Sequence, residues 1–267
     1  MRGVIFAQTL RRNWLQALGW GLGIGMLGLF ILAMLPNVEM IEQYQRLMAA
    51  LPPAVLAAFG MSDISQLASA EGFIGFAYFS YVMMLVSAYA VVLGMNVTAV
   101  EEDRGILDVL MSAPVSRAQL MIEKFLAYLL LMVITILLTF GGFVIGSAFS
   151  VPVDLGLLFT GTLNMIPAAL TVFGFTVLMG ALLRTRTTAL AVSVGFVVVS
   201  YFIEFIGSAA SDTAAAALRL VSYYNYYGGG DYMTTGIQWG NVLLLIVVGV
   251  GLFSGGVFLF QRRDIGL

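Results

Sequence analysis

Apolar residues along this chain gather in long runs instead of alternating with polar ones. Six runs, at approximately 15–35, 73–99, 120–148, 156–183, 189–207 and 240–260, are long enough to cross a hydrocarbon layer. A bilayer core about 30 Å thick needs about 20 apolar residues in helical form. Lipid gives an exposed backbone no hydrogen-bond partner, so each run is predicted to be an α-helix. The expected fold class is all-α integral membrane, a single domain over 1–267 with six transmembrane helices. Polar positions mark the connections. Segment 36–72 is predicted to hold short helices, broken at Pro52-Pro53, with Asp63-Ile64-Ser65-Gln66 reading as a capping box. Segment 149–155 is short, and Arg184 to Thr188 makes a tight turn. Segment 208–239 carries an Ala-rich helical stretch (214–221), then Tyr223, Tyr224, Asn225, Tyr226 and Tyr227 before Gly228-Gly229-Gly230.

Composition removes several functions. The chain is 61% hydrophobic and 10% charged, where ordinary domains carry about 25% charged residues, so lipid must solvate much of it. It has no cysteine, hence no thiol nucleophile and no disulfide frame. It has no histidine, the commonest general base and metal ligand. Its single lysine, Lys124, follows Met121-Ile122-Glu123 and not a glycine loop. A P-loop requires Gly-x-x-x-x-Gly-Lys-[Ser/Thr]. No cofactor or metal is therefore expected on this chain, and any ATP drive must come from a partner. Nucleic acid is not an expected partner; the lipid bilayer is. The start resembles a signal peptide, with Arg2, Arg11 and Arg12 before an apolar run. The run from Trp14 to Leu35 is too long for one and lacks a cleavage site, so it reads as a retained span.

Charge placement orients the spans. Arg2, Arg11, Arg12, Arg104, Arg117, Lys124, Arg184, Arg186, Arg262 and Arg263 fall on the side of the termini. Only Arg46 and Arg219 fall opposite. The positive-inside rule then makes both termini cytoplasmic, in a multi-pass protein of the cell membrane. The sequon Asn96-Val97-Thr98 would lie on the cytoplasmic side and stay unmodified.

The connection between the second and third runs reads EEDRGILDVLMSAPVSRAQLMIEK, residues 101–124. Glu101, Glu102 and Asp103 suit the positive end of a short helix. Ile106, Leu107, Leu110 and Met111 share one face, and Arg104 and Asp108 pair at i, i+4 on another. Pro114 stops this helix, and Ser116 with Gln119 reads as a capping box that starts the third span. An amphipathic helix here could lie on headgroups. Its polar face carries more acid than base, which an anionic leaflet would repel, so a protein partner fits better.

Glu102, Gly105, Leu107, Asp108, Leu110, Met111, Ser112, Pro114, Val115, Ser116, Arg117 and Lys124 resemble the motif between the second and third spans of ABC-2 type permeases. Ile106 and Asp108 depart from it, where Thr and Glu are usual. The six-span layout, the basic start and the Arg262-Arg263-Asp264 tail are also similar to that family, of the type V exporter-like class. The resemblance implies that 101–117 is a coupling helix that docks into a separate ATP-binding cassette ATPase. Glu102, Asp103, Gly105, Ile106, Leu107, Asp108, Leu110, Met111, Pro114 and Arg117 would form that interface. It implies that ATP and Mg are bound by the ATPase, that a second permease copy, identical or not, completes the transporter, and that 1–14 is a connecting helix. Phe6, Leu10 and Trp14 at i, i+4, i+8 suit an interfacial helix. The phrase LPPAVLAAFG, 51–60, resembles exporters of antibiotics and drugs. Efflux of an amphipathic drug-like or lipid-like substrate is the expected function.

Several features carry two readings. Gly19, Gly21, Gly23, Gly25 and Gly28 crowd the first run, and Gly142/Gly146 and Gly251/Gly255 repeat the small-xxx-small spacing. They suit close packing within one subunit or a dimer seam. Asn164, Glu204, Tyr223 and Tyr227 are translocation-path candidates. Asn96, Asn164 and Pro167 could face an internal path or bond between helices, and Glu204 could contact substrate or another polar group. The tyrosines of 223–232 suit an aromatic belt at headgroup level; the family resemblance implies re-entrant helices there instead. An ion-coupled secondary transporter would bury several ionisable groups, and only Glu204 comes close. A membrane-embedded lipid enzyme would need a second acidic motif or a histidine facing the 101–103 acids. The topology has a direct check: a cysteine at Ser112 is expected to react only with a reagent added to the cytoplasmic side, and one at Ser211 only from outside. Reaction of both from one side contradicts six spans.

Overall fold

The computed structural model of the chain describes residues 3–35, 38–52, 55, 69–97, 99–100, 116–183, 185–209 and 217–262. Six helices among them are long and apolar enough to cross a membrane. The first span is Val4–Ala33. The second is Ala70–Met95, made of a short helix Ala70–Ile74, a π turn Gly75–Phe79 and a helix Ser80–Met95. The third is Arg117–Gly146, the fourth Leu155–Leu182, the fifth Arg186–Ala209 and the sixth Trp239–Arg262. A more polar helix, Val38–Ala49, follows the first span, and two short helices, Tyr223–Tyr227 and Tyr232–Thr235, stand between the fifth and sixth.

The stretch read as a connecting helix, 1–14, and the first span form one element, because the helix from Val4 runs unbroken into the membrane span. No proline interrupts it and Gly19 is its first helical glycine, so nothing stops a helix of about 45 Å at a 1.5 Å rise. The capping box at Ser116 is half present. Ser116 Oγ accepts from the Gln119 amide N–H at 3.2 Å, but the Gln119 side chain donates to Glu123 at 2.9 Å. Helix Val38–Ala49 agrees with short helices in 36–72, while the capping box at 63–66 lies outside the described residues.

The bundle is built from two tight pairs, first on third and sixth on fourth, with the second span packed on the fourth. Lipid tails are as apolar as leucine, so burial cannot drive helices together, and close backbone approach must. The glycines supply it. A Cβ on Gly21 would stand 2.8 Å from Leu138 Cβ, one on Gly28 3.1 Å from Phe143 Cε1, and one on Gly146 2.9 Å from Leu32 Cβ. A Cβ on Gly142 would overlap the Gly25 carbonyl, and one on Gly174 the Gly249 carbonyl. These glycines therefore pack within the subunit. Gly19, Gly23 and Gly251 have open space where a Cβ would go.

The fourth span is the most enclosed of the six. Its Pro167 has no N–H to donate, and Thr171, one turn on, reaches the Leu245 carbonyl of the sixth span at 2.9 Å. We expect Gly142→Leu to destabilise the protein by about 3 kcal/mol through overpacking, read as a lower thermal midpoint in detergent. Gly141→Leu, next to it but with nothing within 4 Å of its Cβ, should stay within about 0.5 kcal/mol of the parent. Equal midpoints for the two variants contradict the packing.

Candidate functional site

Two ends of the bundle matter: the near end, where the first span starts, and the far end, where the tyrosine-rich segment lies. At the far end, Ser222 caps helix Tyr223–Tyr227 through its hydroxyl, and Gly228 ends it in the left-handed region at φ 76°. Gly229 follows at φ 53°. Side chains with a Cβ avoid this region, so the glycine run permits the sharp reversal into Tyr232–Thr235. Gly230 packs against Gly75 of the π turn, where a Cβ on Gly75 would stand 2.9 Å from the Gly230 carbonyl oxygen.

The tyrosines point inward. Tyr223, Tyr224, Tyr227 and Tyr232 are each at most 4% exposed, which corrects the aromatic-belt reading. A belt residue keeps its hydroxyl among headgroups, whereas these hydroxyls mostly find protein. Tyr223 shares a hydrogen bond with Ser87 of the second span at 2.8 Å. Tyr227 donates to the Phe79 carbonyl at 3.0 Å, at the end of the π turn. Tyr232 donates to the Leu157 carbonyl of the fourth span at 3.2 Å. Asn164, on the fourth span, donates back to the Tyr227 carbonyl at 3.0 Å. Rings add contact: Phe79 meets Tyr232 edge-on at 5.6 Å, and Phe196 stacks on Tyr223 at 5.5 Å.

Three of the four translocation-path candidates, Asn164, Tyr223 and Tyr227, are thus brought together, but as struts that seat the far-end helices on the second and fourth spans. The fourth, Glu204, forms an ion pair with Arg219, both partly exposed. Arg219 joins the segment before Ser222 to the fifth span, and Ser222 donates to the Ser200 carbonyl at 2.7 Å.

An open groove of 520 Å³ lies beside this closed end, on the first and second spans. Gln16, Gly19, Trp20, Gly23, Ile24, Leu27 and Leu85 line it. Gly19 and Gly23 leave its floor free of side chains. Trp20 leans on Tyr89 behind it, with ring centroids 5.3 Å apart. Tyr78 donates to the Ile24 carbonyl, so the groove is bounded where the π turn meets the first span.

At the near end, Ser116 is the N-cap of the third span and Arg117 its first residue. Glu102, Asp103, Gly105, Ile106, Leu107, Asp108, Leu110, Met111 and Pro114 lie outside the described residues. Two residues beyond that segment carry contacts the sequence reading passed over. Glu123 Oε1 accepts from Gly3 N–H at 3.0 Å, and Oε2 from Phe6 N–H at 3.3 Å. Lys124 is 4% exposed and donates to the Val97 carbonyl at 3.2 Å. The signal was present in the sequence: an acid–base pair at the head of an apolar run, containing the only lysine in the chain. Among the described residues no group of three or more acids or metal-binding side chains could hold a metal ion.

The far-end struts have a test. Tyr227→Phe strands the Phe79 carbonyl without its phenol and should cost about 1 kcal/mol, seen as a fall in thermal midpoint. Tyr226→Phe, whose hydroxyl meets the Leu220 carbonyl at an exposed site, should change the midpoint little. The opposite order would show that the far-end helices are not seated through Tyr227.

A comparison with curated proteins gives no match. A family model described as "ABC-2 family transporter protein" matches residues 15–265. Six spans, an all-helical fold among the described residues and this match together place the chain: it belongs to the ABC-2 family, as the membrane-spanning permease of an ATP-binding cassette transporter.

Proposed function

We propose that this permease works as an exporter, in the orientation that puts both termini in the cytoplasm. Two copies, or two related permeases, would pair in the membrane with two cytoplasmic ATPases. The observation that carries the reading is the contrast between a far end sealed by buried tyrosines and an open groove on the near side of that seal. An exporter needs a resting path open toward the cytoplasm and shut at the outside, and the groove would be the loading wall of such a path. The groove is the wall that a second permease would face, because Gly19 and Gly23 let another surface approach its backbone.

Its size falls within the 300–1,000 Å³ of ordinary ligand pockets. An apolar wall with the single amide of Gln16 suits amphipathic drug-like or lipid-like molecules. An ion-coupled carrier fits less well. Glu204, the one acid deep in an apolar run, is engaged by Arg219. A lipid enzyme would need a histidine or a second acidic motif facing Glu101 to Asp103, and the chain has no histidine.

Coupling to the ATPase is assigned to 101–117, from its amphipathic pattern and family resemblance. Replacing both Leu107 and Leu110 with Asp removes apolar contacts worth about 1.5–3 kcal/mol each and sets charge against an apolar cleft. The variant is expected to insert normally but to lose its ATPase on co-purification, or to lose permease-stimulated ATP turnover in liposomes. The paired change Arg104→Ala, Asp108→Ala removes only an exposed pair worth about 0.2–0.5 kcal/mol and should matter much less. Normal ATPase binding and turnover in the double Asp variant would overturn the coupling assignment.

A further inference from the structure

Glu123 and Lys124 are neighbours on the third span, seven and eight residues after its N-cap Ser116. Each holds the end of a different helix. The first span has no cap of its own, because Gly3 has no side chain to offer. Glu123 provides one from another helix, with one oxygen on the N–H of the cap residue and the other on the N–H three residues later. A carboxylate is the group that the positive end of a helix favours. Lys124 does the reverse for the second span. Helix Ser80–Met95 ends with Asn96 as its cap, and the next carbonyl, that of Val97, accepts the ammonium. A cation suits the negative end of a helix. A charged group this enclosed is retained only where its hydrogen bonds are satisfied.

A connected line of contacts follows from the cap onward. Ser116 Oγ takes the Gln119 N–H, the Gln119 side chain donates to Glu123, and Glu123 holds the start of the first span. The connection 101–115 is tethered at one side through Val97, three residues before its preceding residue Val100, and at the other by Ser116 itself. Both tethers therefore converge on the first two turns of the third span.

We propose that Glu123 and Lys124 are positioning residues for coupling: they bind the near ends of the first, second and third spans into one unit, so that displacement at the connection between the second and third spans reaches the groove-lining first span. This rests on the permease reading given above. Neither residue touches ATP or cargo. Their loss should leave the ATPase bound and its affinity for ATP intact, while turnover stops responding to the permease.

The test uses the permease–ATPase complex in liposomes with ATP as the only ligand. Lys124→Met keeps the unbranched chain, one atom shorter, without the charge, Lys124→Arg keeps the charge, and Glu123→Ala removes the cap from a partly exposed site. For Lys124→Met and Glu123→Ala we expect permease-stimulated kcat to fall about tenfold, equivalent to about 1.4 kcal/mol in a barrier. The KM for ATP and co-purification of the ATPase should stay near those of the parent, the midpoint of Lys124→Met should fall no further than that of Tyr227→Phe, and Lys124→Arg should recover most of the turnover. If Lys124→Met does not fold, Glu123→Ala decides. Unchanged kcat in the folded variants overturns the inference. So does loss of the ATPase together with a lowered midpoint, which marks a contact that only supports the fold. The double Leu107→Asp, Leu110→Asp variant separates the two ideas: an effect there with none at Glu123 or Lys124 defeats this inference alone, while no effect there defeats the coupling assignment beneath it.

Discussion

Lipid offers no hydrogen-bond partner, and that constraint decides where many of the buried polar side chains among the described residues point. The recurring solution is a side-chain donor that crosses to a backbone carbonyl on another element. Tyr78 reaches Ile24, Thr135 reaches Ala17, Thr171 reaches Leu245, Asn164 reaches Tyr227, Tyr227 reaches Phe79 and Lys124 reaches Val97. Each such bond contributes only about 0.6–2 kcal/mol. Their value lies in placement, since each fixes a rotation and a depth that apolar contact alone leaves free.

Packing obeys the same solvent. Because burial against lipid gains little, the helices associate where glycine lets their backbones meet, at Gly25 with Gly142 and at Gly174 with Gly249. The first and third spans, and the fourth and sixth, become two close pairs as a result. The glycines left over, Gly19 and Gly23, are informative for the opposite reason. They sit on a face of the first span that none of the described residues covers, and they give the groove its open floor.

The two ends of the bundle are built differently. At the far end, phenols and one carboxamide are bonded to carbonyls around a π turn, with charges at its margin, where Asp154 caps the fourth span and Glu204 pairs with Arg219. The near end uses full charges at helix termini, Glu123 on the start of one helix and Lys124 on the end of another. Charges at helix ends hold backbone without needing a close-fitting core.

How much of this was legible from the chain alone follows from which interactions are local. The number and approximate place of the spans follow from apolar run length, because hydrocarbon thickness fixes the length of a helix without reference to its neighbours. The family motif at 101–124 could be read for the same reason, since its residues lie within one short stretch. Ser116 as a helix cap and the glycine run as a reversal were also local matters. Tertiary structure alone decided the rest. Gly21 and Gly23 look alike in the sequence, yet one meets Leu138 and the other open space, because two residues turn a helix by more than half a circle. The tyrosines of 223–232 fit a headgroup belt by composition, and only their partners Ser87, Phe79 and Leu157, far away in the chain, show that they are a buried seal. Glu204 could meet cargo or another polar group, and only the fold brings Arg219 beside it. Lys124 counted as one more positive charge on the cytoplasmic side until the end of another helix gave it an acceptor. In each case the deciding partner stands on another element, and a sequence records the order of residues along the chain but not which faces of its helices meet.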